Sequence, residues 1–155
     1  MGNFLLIKPR PQNLGGQPIL RPLPSAKCRS VGPFVFFDHI LENTYPAGSG
    51  MNINQHPHIG LSTLTYLFEG QLQHKDSLGN GGVIRRGEVQ RMSAGKGIMH
   101  SEFNPLPDQE THLLQIWIEP AQRGTRASYE QQELAVDGMR GRWRLVASPD
   151  GADGS

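Results

Sequence analysis

The chain has 155 residues, which is enough for one domain with its own hydrophobic core but not for two. Fifteen lysines and arginines nearly balance 14 aspartates and glutamates, and no basic run is long enough to indicate direct nucleic-acid binding. No apolar run approaches the roughly 18 residues of a membrane span. The apolar run within the first ten residues, MGNFLLIKPR, is too short for a signal peptide. The single cysteine, Cys28, cannot close an internal disulfide, so we expect a cytoplasmic protein.

Short apolar runs separated by turn residues follow one another along the whole chain. Nineteen glycines and 12 prolines are spread between these runs, which predicts an all-β domain of many short strands. The stretch DSLGNGGVI predicts a tight reversal, whereas SYEQQELAV, residues 128–136, is a two-turn helix candidate equally compatible with a strand or turn. The predicted strands are 4–8, 34–40, 51–56, 62–70, 87–93, 97–103, 112–119 and 142–147.

The end of the sequence has the composition of a domain boundary. Residues 142–147, RWRLVA, predict a last strand, and the following PDGADGS is rich in turn residues. Arg140, Arg142 and Arg144 alternate along one face of that predicted strand, so we expect them in water.

Two pairs of potential ligands share one spacing. His56 and His58 stand two residues apart around Pro57, and on a strand such residues project from the same face. His100 and Glu102 repeat this spacing in GIMHSEF. If the two strands face each other inside a barrel, three imidazoles and one carboxylate converge on one point.

Such a set suits a metal ion with open coordination positions. Three neutral nitrogens and one carboxylate oxygen leave about two positions free on an octahedral ion, which is typical of non-haem Fe(II). A closed structural zinc site with several thiolates is excluded by the single cysteine. The alternative is that these are ordinary hydrogen-bonded histidines; for His56 and His58 alone the two interpretations are equal, and the second pair favours the metal.

The other polar candidates receive structural interpretations. His74 lies beside Asp76 near a turn, where a solvated histidine is favoured over an outer partner of a ligating imidazole. His39 is expected to be a core or edge-strand histidine bonded to backbone, His112 a strand-start residue and Glu69 a solvated carboxylate. Six aromatic residues are expected in the core or between domains, with a pocket wall as the alternative: Phe34, Phe36, Phe37, Tyr66, Phe68 and Trp117.

Four segments together resemble the amino-terminal cupin domain of pirin-like proteins: GPFVFFDHI, HPHIGLSTLTYLFEG, DSLGNGGVIRRGEVQRMSAGKGIMHSEFN and WRLVASPDGADGS. The resemblance implies a jelly-roll-type β-barrel that holds one iron through His56, His58, His100 and Glu102. Pirins are bicupins, so it also implies a cupin domain over 1–147 and a linker over 148–155 toward a missing second cupin. The face that the second cupin would cover could then pair with another copy of the chain.

The resemblance also implies an activity. Family members are associated with quercetin 2,3-dioxygenase activity, in which a flavonol and O₂ meet at the metal. Glu102 would then be a metal ligand and also the group that accepts a proton from the substrate hydroxyl. The alternative from the same family is a non-enzymatic, iron-binding regulatory protein of the transcription-cofactor type.

Overall fold

The computed structural model describes residues 4–14, 16–43, 50–106, 108–134 and 139–152. These ranges contain no α-helix, which confirms the all-β prediction. Their strands are β1 (Arg10–Leu14), β2 (Gln17–Leu23), β3 (Phe34–Ile40), β4 (Asn52–His58), β5 (Ser62–Glu69), β6 (Gln71–Asp76), β7 (Gly81–Arg85), β8 (Glu88–Ser93), β9 (Ile98–Phe103), β10 (His112–Ile118) and β11 (Ser128–Glu133).

The strands form two antiparallel sheets. The larger sheet has the order β1-β2-β3-β10-β5-β8-β11, and the smaller has the order β4-β9-β6-β7. One apolar cluster joins the two sheets, because β2, β3, β5 and β10 of the larger sheet and β6 and β7 of the smaller one contribute buried residues to it. Its members are Ile19, Ile40, Met51, Leu67, Leu72, Ile84 and Leu113. The two sheets therefore enclose a common interior.

The interior of the smaller sheet is partly polar. Burial alternates strictly along β9, where Ile98, His100 and Glu102 point inward. The same alternation along β6 buries Leu72 and His74. Histidine and glutamate thus occupy inward-facing strand positions, where apolar core residues are usually found.

Two glycine turns place β6. The predicted reversal in DSLGNGGVI is confirmed, since β6 and β7 pair through the turn at 77–80, where Gly79 has a φ of +83°. Gly70 links β5 to β6 with a φ of +82°, and a Cβ atom there would collide with the carbonyl oxygen of Glu110. Both turns need glycine, and they bound β6 at its two ends.

A second apolar cluster lies on the outer face of the larger sheet. Leu64, Tyr66 and Ile116 belong to this outer cluster, and the segment 139–147 packs against it through Met139, Val146 and Ala147. The larger sheet therefore buries apolar side chains on both of its faces.

Several predicted strands differ from the structure. Residues 4–9 form no strand, and the first hairpin is instead β1–β2, whose prolines hide the alternation in the sequence. The predicted strand 142–147 is also wrong, because these residues pair with no strand and Trp143 is fully exposed. Within 128–136, the helix candidate is a strand over Ser128–Glu133, and residues 135 and 136 lie outside the described residues.

Candidate metal centre

The two predicted ligand pairs lie on neighbouring antiparallel strands. His56 and His58 are on β4, His100 and Glu102 are on β9, and the pairing register sets His56 directly opposite His100. His58, His100 and Glu102 are buried, while His56 is half-buried. Three imidazoles, those of His56, His58 and His100, offer nitrogen atoms that lie within 4.8 Å of one another.

The closest contact in this group joins two imidazole nitrogens. His56 Nε2 lies 2.9 Å from His100 Nε2. Two nitrogen ligands at about 2.0–2.1 Å from an ion, and at right angles about it, would lie about 2.9 Å apart. His56 Nδ1 lies 2.8 Å from the carbonyl oxygen of Asn54, which can only accept, so Nδ1 carries the hydrogen and Nε2 presents a lone pair toward His100.

The buried imidazoles are held in the form that binds metals. Burial, together with the nearby His56, lowers the pKa of His58 to about 4. Burial and the neighbouring histidines lower the pKa of His100 to about 3, against an opposing effect of Asp76. Both side chains are therefore neutral near pH 7, and a neutral imidazole is the form that donates a nitrogen lone pair to a cation.

Glu102 is a buried carboxyl group whose Oε1 has no hydrogen-bond partner among the described residues. Burial raises the pKa of Glu102 to about 7. A carboxylate oxygen of Glu102 lies within 4.8 Å of ring nitrogens of His100 and His74, and Glu102 lines the same cavity as His56 and His58. An unpaired buried carboxylate is costly, and a cation in the site would supply its missing partner.

A cavity of ≈ 360 Å³ opens beside these groups. Phe36 and Trp117 stack in its wall with ring centroids 4.2 Å apart, and the ring centroids of Trp117 and His58 lie 5.1 Å apart with their planes nearly perpendicular. Arg21 lies over Phe36 and forms two hydrogen bonds of 2.6 Å to the buried Asp38. The other apolar lining residues are Leu14, Ile40, Met51, Ile53, Leu72 and Leu113.

The sequence interpretation missed Arg21 and Asp38. Asp38 stands two residues from Phe36 and from Ile40 on β3, and all three line the cavity. The period of two in FVFFDHI was the available signal. Arg21 lies on β2, which was not predicted as a strand.

The six aromatic residues divide among three environments. Phe36 and Trp117 line the cavity, which matches the pocket alternative. Phe37 and Tyr66 pack in the outer cluster, while Phe34 and Phe68 are exposed.

The other polar candidates have mixed outcomes. The prediction of a solvated His74 is wrong, because its side chain is wholly buried and contacts His100. His39 contacts a side chain rather than backbone, with its Nε2 2.7 Å from Nε2 of His112, the first residue of β10. Glu69 is exposed, as predicted, and pairs with Arg86 at 3.0 Å. The arginines of the 140–144 segment are exposed but belong to no strand.

An antiparallel two-sheet barrel whose inward histidines can hold a metal ion defines the cupin class. The pirin family model matches residues 16–118, and the chain belongs to the pirin family. A quercetin 2,3-dioxygenase of Escherichia coli is 46% identical over 107 residues, which cover 69% of this chain and 45% of that protein. A pirin-like protein of Caulobacter vibrioides is 43% identical over 119 residues, covering 74% of this chain and 41% of its own length.

Solved structures agree with this class. The bacterial pirin YhhW from Escherichia coli, in complex with nickel(II), superposes with a TM-score of 0.81 and 33% identity over 95% of this chain and 62% of that chain. A quercetin 2,3-dioxygenase from Acinetobacter baumannii superposes with a TM-score of 0.74 and 41% identity, covering 80% of this chain and 42% of that chain. The chain spans less than half the length of the two relatives named above. Within the described ranges, we find no helix with the length and hydropathy to cross a membrane.

Proposed function

We propose that the chain binds one divalent metal ion, expected to be Fe(II), through His56, His58, His100 and Glu102. The contact of 2.9 Å between the Nε2 atoms of His56 and His100 has the spacing of two adjacent ligands. The unpaired Oε1 of Glu102 fits the same interpretation, since a carboxylate bound to a cation needs no hydrogen-bond donor. Three imidazoles with one carboxylate favour iron over the hard oxygen-only sites of magnesium or calcium.

The activity that this site supports best is the dioxygenation of a flavonol or another enolic, metal-chelating small molecule. The observation that carries this proposal is the cavity beside the histidines, whose ≈ 360 Å³ falls in the range of about 300–1,000 Å³ typical of small-molecule pockets. A purely regulatory iron site needs no such space. The names of two relatives, both quercetin 2,3-dioxygenases, support the same substrate class.

The chain's own residues would prepare the substrate for this reaction. The metal ion would supply open coordination positions for O₂ and a chelating enolate. Phe36 and Trp117, stacked on each other, give the cavity an aromatic wall suited to a planar ring, and the apolar lining excludes water. Glu102, as a carboxylate at the edge of the metal, would lie within reach of the substrate hydroxyl and could accept its proton. Arg21, held by Asp38, offers fixed donors to a polar end of the ligand.

Oxygen consumption by the iron-loaded chain, incubated with quercetin, tests the proposal. We expect many equivalents of O₂ to be consumed for each chain, because an enzyme turns over. Consumption limited to about one equivalent, with normal iron content, would contradict the enzymatic role and favour the iron-binding regulatory alternative. His39→Ala is the matched control, since it removes an imidazole away from the cavity lining and should leave consumption unchanged.

A further inference from the structure

His74 contacts the proposed ligand His100 on the side of its ring that faces away from His56. It lies on β6, where the pairing with β9 sets His74 opposite Glu102 and Asp76 opposite His100. The side chains of His74 and Asp76 are both wholly buried. His74 Nδ1 lies 3.2 Å from Nδ1 of His100, which is the ring nitrogen of His100 that points away from His56.

Asp76 defines the hydrogen-bond direction in this group. Its Oδ1 accepts from the backbone N–H groups of Leu78 and Asn80 at 2.9 and 3.0 Å, and its Oδ2 accepts from Asn80 Nδ2 at 2.9 Å. Three donors from one turn stabilise the acceptor-only, ionised carboxylate. His74 Nε2 lies 3.4 Å from the same Oδ2, so this nitrogen carries the hydrogen of the His74 ring.

The remaining hydrogen can then be assigned. A neutral imidazole has one N–H, and a His74 that keeps it on Nε2 presents a lone pair at Nδ1. The short contact with His100 therefore needs the hydrogen on His100 Nδ1. In the neutral ring of His100, Nε2 is left as a lone pair that faces the lone pair of His56 Nε2.

Packing keeps the His74 ring in this orientation. The ring of Tyr129, on β11 of the larger sheet, lies against it with centroids 4.7 Å apart and an angle of 30° between the planes. The Tyr129 hydroxyl donates to Gln131 Oε1 at 2.8 Å, which fixes Tyr129 in turn. His74 thus packs against two rings, that of Tyr129 and that of His100, whose centroid lies 5.0 Å from its own.

We propose that His74, oriented by Asp76, is a positioning residue that fixes the His100 tautomer with its Nε2 lone pair toward the metal site. This inference rests on the proposed metal set and adds a residue to it. Two facing lone pairs at 2.9 Å repel each other unless a cation lies between them, so the chain prepares the site before the metal arrives. His74 acts through His100 and is not itself a ligand.

Zn²⁺ titration of three variants separates this role from others. His74→Leu removes the acceptor behind His100, and loss of such an outer partner weakens metal binding by about 10–100-fold. His74→Asn places a side-chain oxygen near the former Nδ1, so it restores the acceptor and should bind Zn²⁺ much as the unaltered chain does. His100→Ala should lose nearly all affinity because it removes a ligand.

Each pattern of results has a separate meaning. If His100→Ala loses Zn²⁺ while both His74 variants bind normally, His74 has no positioning role although the metal site stands. If both His74 variants lose affinity equally, the role is structural and the proposal is wrong. Normal binding by His100→Ala would overturn the metal site and this proposal together. Two tightly bound ions per chain would also overturn it, since His74 would then be a ligand.

A second measurement does not depend on the variants folding. NMR of the Zn²⁺-loaded chain with isotope-labelled histidine should show an exchange-protected N–H on His100 Nδ1 and a scalar coupling across the hydrogen bond to His74 Nδ1. A hydrogen located on His74 Nδ1, or no coupling between the two nitrogens, would contradict the proposal.

Discussion

Two pairs of histidines in this molecule make similar contacts in different surroundings. His56 and His100 approach to 2.9 Å between Nε2 atoms, and His39 and His112 approach to 2.7 Å. The inner pair has a third imidazole, a buried carboxyl group and a cavity beside it. The outer pair stands on β3 and β10 with Glu42 3.3 Å from His112, and it forms no metal-binding group of three among the described residues.

The difference shows that a short distance between imidazoles does not define a metal site. Convergence of further ligands and a buried acid group without a hydrogen-bond donor distinguish the inner pair. The outer pair can be satisfied by one shared hydrogen and the exposed carboxylate of Glu42.

The largest expected effect is loss of the metal from the inner pair only. His100→Ala removes one of four proposed ligands, so iron content should fall close to zero. His39→Ala removes an imidazole with an equally short contact but no converging ligands, so iron content should be unchanged. Elemental analysis of the purified variants measures both. Equal iron contents in the two variants would contradict the assignment of the inner pair, and not the outer pair, as metal ligands.

The next largest effect is the pH dependence of metal binding at the inner pair, which should come in part from Glu102. Metal binding displaces the proton of Glu102, whose pKa is about 7, so affinity should fall by up to about tenfold for each unit that the pH falls below 7. His58 and His100 compete for protons only near pH 4 and 3, respectively. Zn²⁺ affinity between about pH 5 and 7 is the measurement.

Glu102→Gln is the control for that pH dependence. It should bind more weakly and have a shallower pH dependence between about pH 5 and 7, because an amide has no proton to release in this range whereas every imidazole ligand must still be neutral. An unchanged dependence in this variant would assign the proton to another group and contradict a role for Glu102 as a ligand.

Thermal stability should respond to the inner site and not to the outer one. A metal that binds only the folded chain raises the unfolding free energy by about 2.7 kcal/mol at a hundredfold excess over its dissociation constant. We therefore expect the melting temperature to rise with Zn²⁺ and to return on addition of a chelator. His39→Ala should keep the whole shift, whereas His100→Ala should lose it. A melting temperature that does not respond to chelator would contradict the site.

The smallest expected effect concerns the face that carries the outer pair. Phe68 is exposed there and its ring lies 4.7 Å from that of His112. We expect the isolated chain to form dimers at high concentration through this face, and Phe68→Ser to reduce them. Sedimentation measures both, and a chain that stays monomeric at every concentration would contradict this expectation.

Sequence patterns predicted most of the strands on which the site is built. The segments 34–40, 62–70, 97–103 and 112–119 are rich in apolar, β-branched and aromatic residues, and these strands appear within one residue of their predicted bounds. The first hairpin was missed since its prolines interrupt the pattern. The last predicted strand failed because its apolar residues pack on the outer cluster without a partner strand.

The site was predictable to the extent that it depends on spacing along a strand. The facing of His56 and His100 follows from two residue pairs with a period of two. The sequence offered a role for His74 as an outer partner only as the less favoured alternative, because its burial depends on the pairing of β6 with β9 and on Tyr129 from the other sheet. Long-range contacts of this kind leave no local pattern, so a buried histidine looked like a turn residue.

X-ray absorption by the iron-loaded chain tests the central claim most directly. Our account predicts one Fe(II) per chain with three imidazole nitrogens and a carboxylate oxygen in its inner sphere, and a spectrum that changes in His100→Ala but not in His39→Ala. An iron bound by fewer than two imidazoles, or a spectrum that His100→Ala leaves unchanged, would contradict the assignment of the inner histidines as a metal site.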